Sequence, residues 1–498
     1  MFEGQPKGLW TLAIANTGER FGYYTMLAVF TLFLGAKFGF SEGVTSNIYA
    51  CFLMMAYFLP LLGGIAADLW GYSRMVVIGI SVMFFGYLLL SIPLGADWIG
   101  ISAMGAALLL VCVGTGLFKG NLQVMVGDLY NDPRYADKRD SGFSLFYMLI
   151  NVGALFAPTA AIKMMDWAQT TLSFSKADSY HFAFSVACVS VIVSMLIYFL
   201  GRSTYKQVLT PRKKQAKTAE PVEQLSKSET KERIVCLCLV FAVVIFFWMA
   251  FGQNGLTLTW FADEFTAREA SGAQGMMFDV LNLSLVIVAV FALFSLFQSK
   301  KTLGKVISAF IIVAIAVILG YRYTKAGTVA IDAPIFQQFN PGFVVGLTPV
   351  SIALFSWLAK KGREPKAPVK IGLGMLVAAL AYLIMMLYTL RMPMPQHPQH
   401  VYDATPNLLV TTYLIMTFAE LLLSPIGISF VSKVAPPKFR GMMMGGWFVA
   451  TAIGNLLSAV PGHMWSRPLP VVWGTLMVIC LVAALLIFAI IRKLNRVA

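Results

Sequence analysis

The chain has 498 residues, of which 58% are hydrophobic and 12% charged, and its mean hydropathy is +0.75. A soluble domain cannot keep that much apolar surface out of water by folding, so the composition points to a polytopic membrane protein. The net charge of +15 calls for no nucleic acid partner, because most of the 38 lysines and arginines fall in loops on one side of the membrane, the cytoplasmic side by the positive-inside rule.

Apolar windows of about 20 residues, long enough to cross a bilayer as a helix, recur along the chain. In order they lie near 9–35, 45–67, 75–93, 99–121, 141–162, 181–201, 233–258, 278–298, 304–321, 341–359, 371–390, 407–431, 441–460 and 470–491. The expectation is an all-α membrane protein of fourteen crossings, multi-pass in the cell membrane, with both termini cytoplasmic. The first window is too long for a signal h-region, carries Arg20 at its centre and is followed by no small-residue cleavage site, so it is expected to remain in the mature chain. Residues 202–232 form the longest polar interruption and are expected to be a cytoplasmic linker. That divides the chain into an N-terminal six-helix bundle at 1–201 and a C-terminal bundle at 233–498, with an additional helix pair at about 278–321.

The six cysteines lie in or beside apolar segments, so neither a disulfide framework nor a zinc site is expected. His181, His397, His400 and His463 map to outer loops or segment edges, and no H-E-x-x-H or P-loop occurs. A membrane enzyme would need a positioned acid–base pair, nucleophile or metal; none is expected here, and no cofactor.

Ionisable groups at bilayer depth are costly and usually face a partner, a cavity or a pathway. Asn16, Glu19, Arg20, Tyr23 and Tyr24 fall on one side of the first helix. This stripe is either a pair locking helices together or part of a site. Lys119, in "GTGLFKGN", has glycines around it and either snorkels to the inner interface or faces inward. Glu420, in "TFAELLLSPIG", has no cation in its own helix, and Pro425 interrupts the backbone ladder just beyond it. Glu19 and Glu420 are expected to be the only carboxylates well inside the membrane. Asn151 and Asn340 add neutral donors and acceptors, and Trp248 and Trp447 either pack the core or line a site.

"GGIAADLWGYSR" (63–74) resembles the Gly-x-x-x-Asp-x-x-Gly-x-Arg signature of the major facilitator superfamily, in which glycines let helices approach and Asp68 and Arg74 are placed to pair at the membrane edge. "ERFGYY" resembles the E-x-x-E-R-F-x-Y-Y motif of the proton-dependent oligopeptide transporters, a family within that superfamily. "GTGLFKGN", "GFSLFYMLINVGALFAP", "FQQFNPGF", "ELLLSPIGISFVSKVAP" and "FRGMMMGGWF" resemble further signatures of it, in the expected order. The resemblance implies a major facilitator fold of two six-helix bundles plus two additional helices, working as a monomer. It implies that Arg20 and Lys119 receive the carboxylate of a di- or tripeptide and that Glu420 receives its ammonium, helped by Asn151 and Asn340. Tyr23, Tyr24, Tyr57, Trp248 and Trp447 would line the cavity, and Glu19 and Glu420 would carry protons as co-substrate. Two cations from one half facing an anion from the other would suit a zwitterion, whose termini lie roughly 5–10 Å apart in a short extended peptide.

Three positions depart from the family pattern. Asn16 stands for the first glutamate of the motif, Leu27 for a later arginine, and Gly252 for a glutamate before Gln253. Asparagine and glycine cannot change protonation. The expectation is therefore proton-coupled peptide symport, with an uncoupled or differently coupled carrier or exporter of another small solute as the alternative in transport, and a receptor or scaffold on a transporter fold outside it.

Overall fold

The computed structural model describes residues 4–209, 226–299, 301–395, 404–436 and 439–497. Fourteen helical spans in it are long and apolar enough to cross a membrane, as the periodicity of apolar windows predicts. Their main helices are α1 (Lys7–Phe38), α2 (Glu42–Trp70), α3 (Tyr72–Leu90), α4 (Trp98–Leu129), α5 (Arg139–Thr170), α6 (Lys176–Leu200) and α7 (Lys227–Phe251). They continue as α8 (Val280–Gln298), α9 (Thr302–Thr324), α10 (Phe339–Lys360), α11 (Ala367–Tyr388), α12 (Pro406–Val434), α13 (Arg440–Leu457) and α14 (Leu469–Ala489).

Local chemistry marks the helix ends. Ser41, Asp97 and Ser175 accept hydrogen bonds from the first-turn N–H groups of α2, α4 and α6, satisfying donors that have no intrahelical partner. Ser226 and Glu229 form a reciprocal capping box at the start of α7. That helix therefore begins inside the segment expected to be linker. Gly39, at φ 64°, closes α1 in the left-handed conformation that favours glycine.

By its contacts the chain forms two compact units. The first takes in the chain up to Gly252, then Gly427–His463 and the residues from Ala489 on; the second is Gln253–Ile426 and Met464–Phe488. One division falls at the end of α7, the other one residue past Pro425, inside α12.

In the first unit α1 packs on α5 and α6, α4 on α2 and α3, and α13 on α2 and α7. Missing side chains make the α4 contacts close. A Cβ on Gly63 would lie 2.1 Å from the carbonyl oxygen of Gly116, and one on Gly79 would lie 2.7 Å from that of Gly114. Small residues let membrane helices come near enough for dispersion and backbone contacts to hold them. The expected Asp68–Arg74 pair is not formed. Gly71, at φ 93°, turns the chain between α2 and α3 so that the Tyr72 hydroxyl donates back to Asp68, while Arg74 is carried into α3 and exposed.

In the second unit the additional pair, α8 and α9, packs together, and α8 also packs on α10. Arg322 and Asp279 tie the pair at 2.7 Å. Among the described residues α9 buries only Ser308 and Ile315, leaving its apolar surface to lipid. A two-stranded antiparallel ribbon pairs Glu269 with Ala330.

The Gly63 contact sets a paired test. Gly63→Ala puts a methyl group against backbone, so it is expected to cost about 1–3 kcal/mol and lower the thermal midpoint of the purified protein in detergent. Gly64→Ala, at a site with nothing within 4 Å of the added carbon, is expected to leave the midpoint unchanged.

Candidate functional site

The polar stripe of α1 is buried where the sequence places it. Asn16, Glu19, Arg20 and Tyr23 are each less than 5% exposed. Arg20 Nε and Nη2 donate to the two oxygens of Glu19, each at 2.5 Å. This fork matches a planar guanidinium to a carboxylate, the strongest geometry for such a pair. The guanidinium also lies over the Tyr23 ring, 4.6 Å from its centroid, a cation–π contact. Tyr23 in turn meets Tyr24 edge-on at 5.4 Å and stacks on Phe52 of α2 at 6.0 Å.

Lys119 of α4 does not snorkel. Its Nζ sits 4.2 Å from the centroid of the Tyr57 ring on α2, and the group is within electrostatic reach of Arg20 and Glu19. Among the described residues it forms no ion pair, so its charge is held by an aromatic face and the nearby carboxylate. Tyr57 is 6.3 Å from the Trp248 ring of α7. One connected cluster in the first unit thus contains Glu19, Arg20, Tyr23, Tyr24, Tyr57, Lys119 and Trp248.

Two further predicted residues of this unit make contacts outside that cluster. Asn151 donates to the Tyr147 carbonyl on its own helix at 3.0 Å, and the buried Trp447 lays its ring edge against Gly427 of α12.

In the second unit Asn340 of α10 and Glu420 of α12 meet as expected. Asn340 Nδ2 donates to Glu420 Oε2 at 2.9 Å and to Thr417 Oγ1 at 3.1 Å. Thr417, one turn before Glu420, was not singled out by the sequence reading; its spacing to Glu420 on the same helix face was the available signal. Asn340 thus donates to a buried carboxylate while Thr417, which itself donates to the Tyr413 carbonyl, anchors the same amide.

Glu264 is a further buried carboxylate besides Glu19 and Glu420, which the sequence reading did not single out. The seventh span was expected to end near 258. Instead the chain makes a 3-10 turn at Gly252–Gly255 and resumes as a helix over Thr257–Phe265. Glu264 is 4% exposed, and Trp465 Nε1 donates to its Oε1 at 3.0 Å. Of the histidines, His181 bonds the Leu90 carbonyl and His463 bonds Asn47; His397 and His400 lie outside the described residues.

The sequence matches the POT family over residues 73–222 and 322–469. An uncharacterized transporter, YclF, of Bacillus subtilis (strain 168) is 28% identical, with 97% of this chain and 92% of the relative covered. A di-/tripeptide transporter of Lactococcus lactis subsp. lactis (strain IL1403) is 27% identical over 92% of this chain and 89% of its own. The crystal structure of a peptide transporter POT in complex with sulfate superposes with a TM-score of 0.74 at 23% identity, covering 100% of this chain and 96% of that one. The likeness to that structure bears on the fold.

The glycine at position 252 is sterically required. A Cβ there would lie 2.9 Å from the Cβ of Ser458 and 3.3 Å from its Oγ. Gly252→Ala is expected to destabilise the protein by about 1–2 kcal/mol, and Ser458→Gly in the same chain is expected to restore most of the loss, as read by thermal midpoints of the two variants and their combination.

Proposed function

Because the chain belongs to the POT family, we propose that it carries di- and tripeptides across the cell membrane by alternating access, in symport with protons. The observation that carries this reading is chemical. A buried cation, Arg20, and a half-buried one, Lys119, lie with Glu19 in one unit, and a buried carboxylate, Glu420, is held by Asn340 in the other. A short peptide bears both complementary charges. Its carboxylate goes to Arg20 and Lys119 and its ammonium to Glu420, with Tyr23, Tyr24, Tyr57, Trp248 and Trp447 as aromatic walls and Asn151 as a further polar contact. The relatives' names support peptide as the substrate class.

Proton coupling follows from the Glu19–Arg20 fork. When a peptide carboxylate takes the guanidinium, Glu19 loses its cation and becomes easier to protonate. A bound peptide sets charges of opposite sign against Arg20, Lys119 and Glu420, which lowers the desolvation cost of enclosing the site. In this reading the protein works as a monomer with both termini cytoplasmic, and the chain divides functionally into 1–201 and 233–498 about the linker.

A second reading, an uncoupled carrier, is favoured by Asn16 and Gly252, neither of which can change protonation. Uptake of di-alanine into proteoliposomes under an imposed pH gradient separates the two. The symport reading predicts accumulation abolished by an uncoupler; flux insensitive to the gradient supports the uncoupled carrier, and absent flux removes the peptide. Glu420→Gln is expected to weaken competition by free dipeptides roughly tenfold or more while changing that of amino-blocked analogues much less. Equal loss for both would make Glu420 structural.

A further inference from the structure

Between Lys360 and Lys370, where α10 ends and α11 begins, the chain has five cations and one acid, Glu364. The buried Lys370 engages that acid: its Nζ donates to Glu364 Oε1 at 2.5 Å and lies 4.0 Å from the centroid of the Phe355 ring. Lys360, Lys361 and Arg363 are exposed and form no ion pair among the described residues. The backbone fixes where they sit. Gly362, at φ 64°, donates its N–H to the Ala359 carbonyl, and Arg363 donates its N–H to the Leu358 carbonyl, both at 2.9 Å. Such a pair of bonds closes a helix through a left-handed residue, so Lys361 and Arg363 leave the end of α10 at set positions.

One face of α10 leads to this turn. Leu354, Trp357 and Lys361 share it by their i, i+3 and i+7 spacing, and all three are exposed. Lys361 Nζ lies 3.9 Å from the centroid of the Trp357 ring. The face therefore runs from aliphatic through aromatic to cationic over roughly 10 Å of helix. Tryptophan is enriched where bilayer hydrocarbon gives way to headgroups. A phospholipid has its chemistry in the same order, from acyl chain through glycerol ester to phosphate.

We propose that the end of α10 and the turn after it form a binding surface for an anionic phospholipid. The acyl chain lies along Leu354, the glycerol region meets Trp357, and the phosphate goes to Lys361 and Arg363. The occupant is a lipid and not a free phosphate, because the cations continue an exposed apolar face that a soluble anion would leave uncovered. In the orientation proposed above, the turn lies at the cytoplasmic leaflet. The positive-inside bias accounts for the sign of the turn. The engaged acid, the fixed backbone and the tryptophan make it a surface that selects a headgroup. Nothing in this depends on which solute the protein carries.

The test is the thermal midpoint of the purified full-length protein in neutral detergent, titrated with dioleoylphosphatidylglycerol, with dioleoylphosphatidylcholine and with glycerol 3-phosphate. The wild type is expected to gain stability saturably with phosphatidylglycerol alone. Each cation near the surface is worth about fivefold in affinity for anionic lipid, so the chain with both Lys361→Gln and Arg363→Gln is expected to need roughly 25-fold more of it. Lys325→Gln, beyond the other end of α9, is expected to match the wild type. No saturable gain, or an equal gain with phosphatidylcholine, overturns the proposal, as does an unchanged half-saturation in the double variant. Saturation by glycerol 3-phosphate at the same concentration overturns the lipid and makes the turn a soluble-anion site. A phosphatidylglycerol with a photoactivatable headgroup gives an answer without any variant: cross-links within residues 354–366 of the wild type support the proposal, and their absence there contradicts it.

Discussion

A guanidinium and a carboxylate on consecutive residues of α1 satisfy one another in the interior of the first unit, and the rest of the site depends on that contact. Arg20 alone would be too costly to bury, and losing one partner of such a pair costs about 3–5 kcal/mol. The fork to Glu19 keeps the cation in place and poised. It also makes the pair exchangeable, because a carboxylate from a substrate offers the guanidinium the same two oxygens in the same plane. Lys119 adds a second cation on the face of the Tyr57 ring.

Glycine contacts hold the helices that carry these groups. Gly63 against Gly116 and Gly79 against Gly114 bring α2, α3 and α4 close, and Tyr57 and Lys119 are carried on α2 and α4. Packing that tight transmits small displacements, since an interior at crystal-like density cannot absorb them locally. The helices that carry these groups in the first unit are therefore held by backbone contacts rather than by long side chains. In the second unit side-chain hydrogen bonds hold the carboxylate, with Asn340 donating to both Glu420 and Thr417.

Much of this was legible in the sequence because its signals are strong at bilayer depth. Fourteen apolar windows map onto fourteen helical spans, and charged residues in such windows stand out. The α1 stripe and the Asn340–Glu420 contact follow from those charges and the family-like motifs. Other features depend on three-dimensional detail. Glu264 was hidden because the helix breaks at Gly252–Gly255 and restarts, carrying a carboxylate inward that a continuous window would leave at its edge. The Asp68–Tyr72 contact depends on the backbone turn at Gly71. Asn151 has the right residue type but turns its amide to its own helix.

The central claim is that a peptide carboxylate takes Arg20 from Glu19 and that Glu19 then binds a proton. Proton uptake on adding di-alanine to the purified protein in weakly buffered detergent solution near neutral pH tests it most directly. The account predicts a net uptake of protons that saturates with the peptide and is absent in Glu19→Gln. Saturable peptide binding with no proton uptake in the wild type would contradict it.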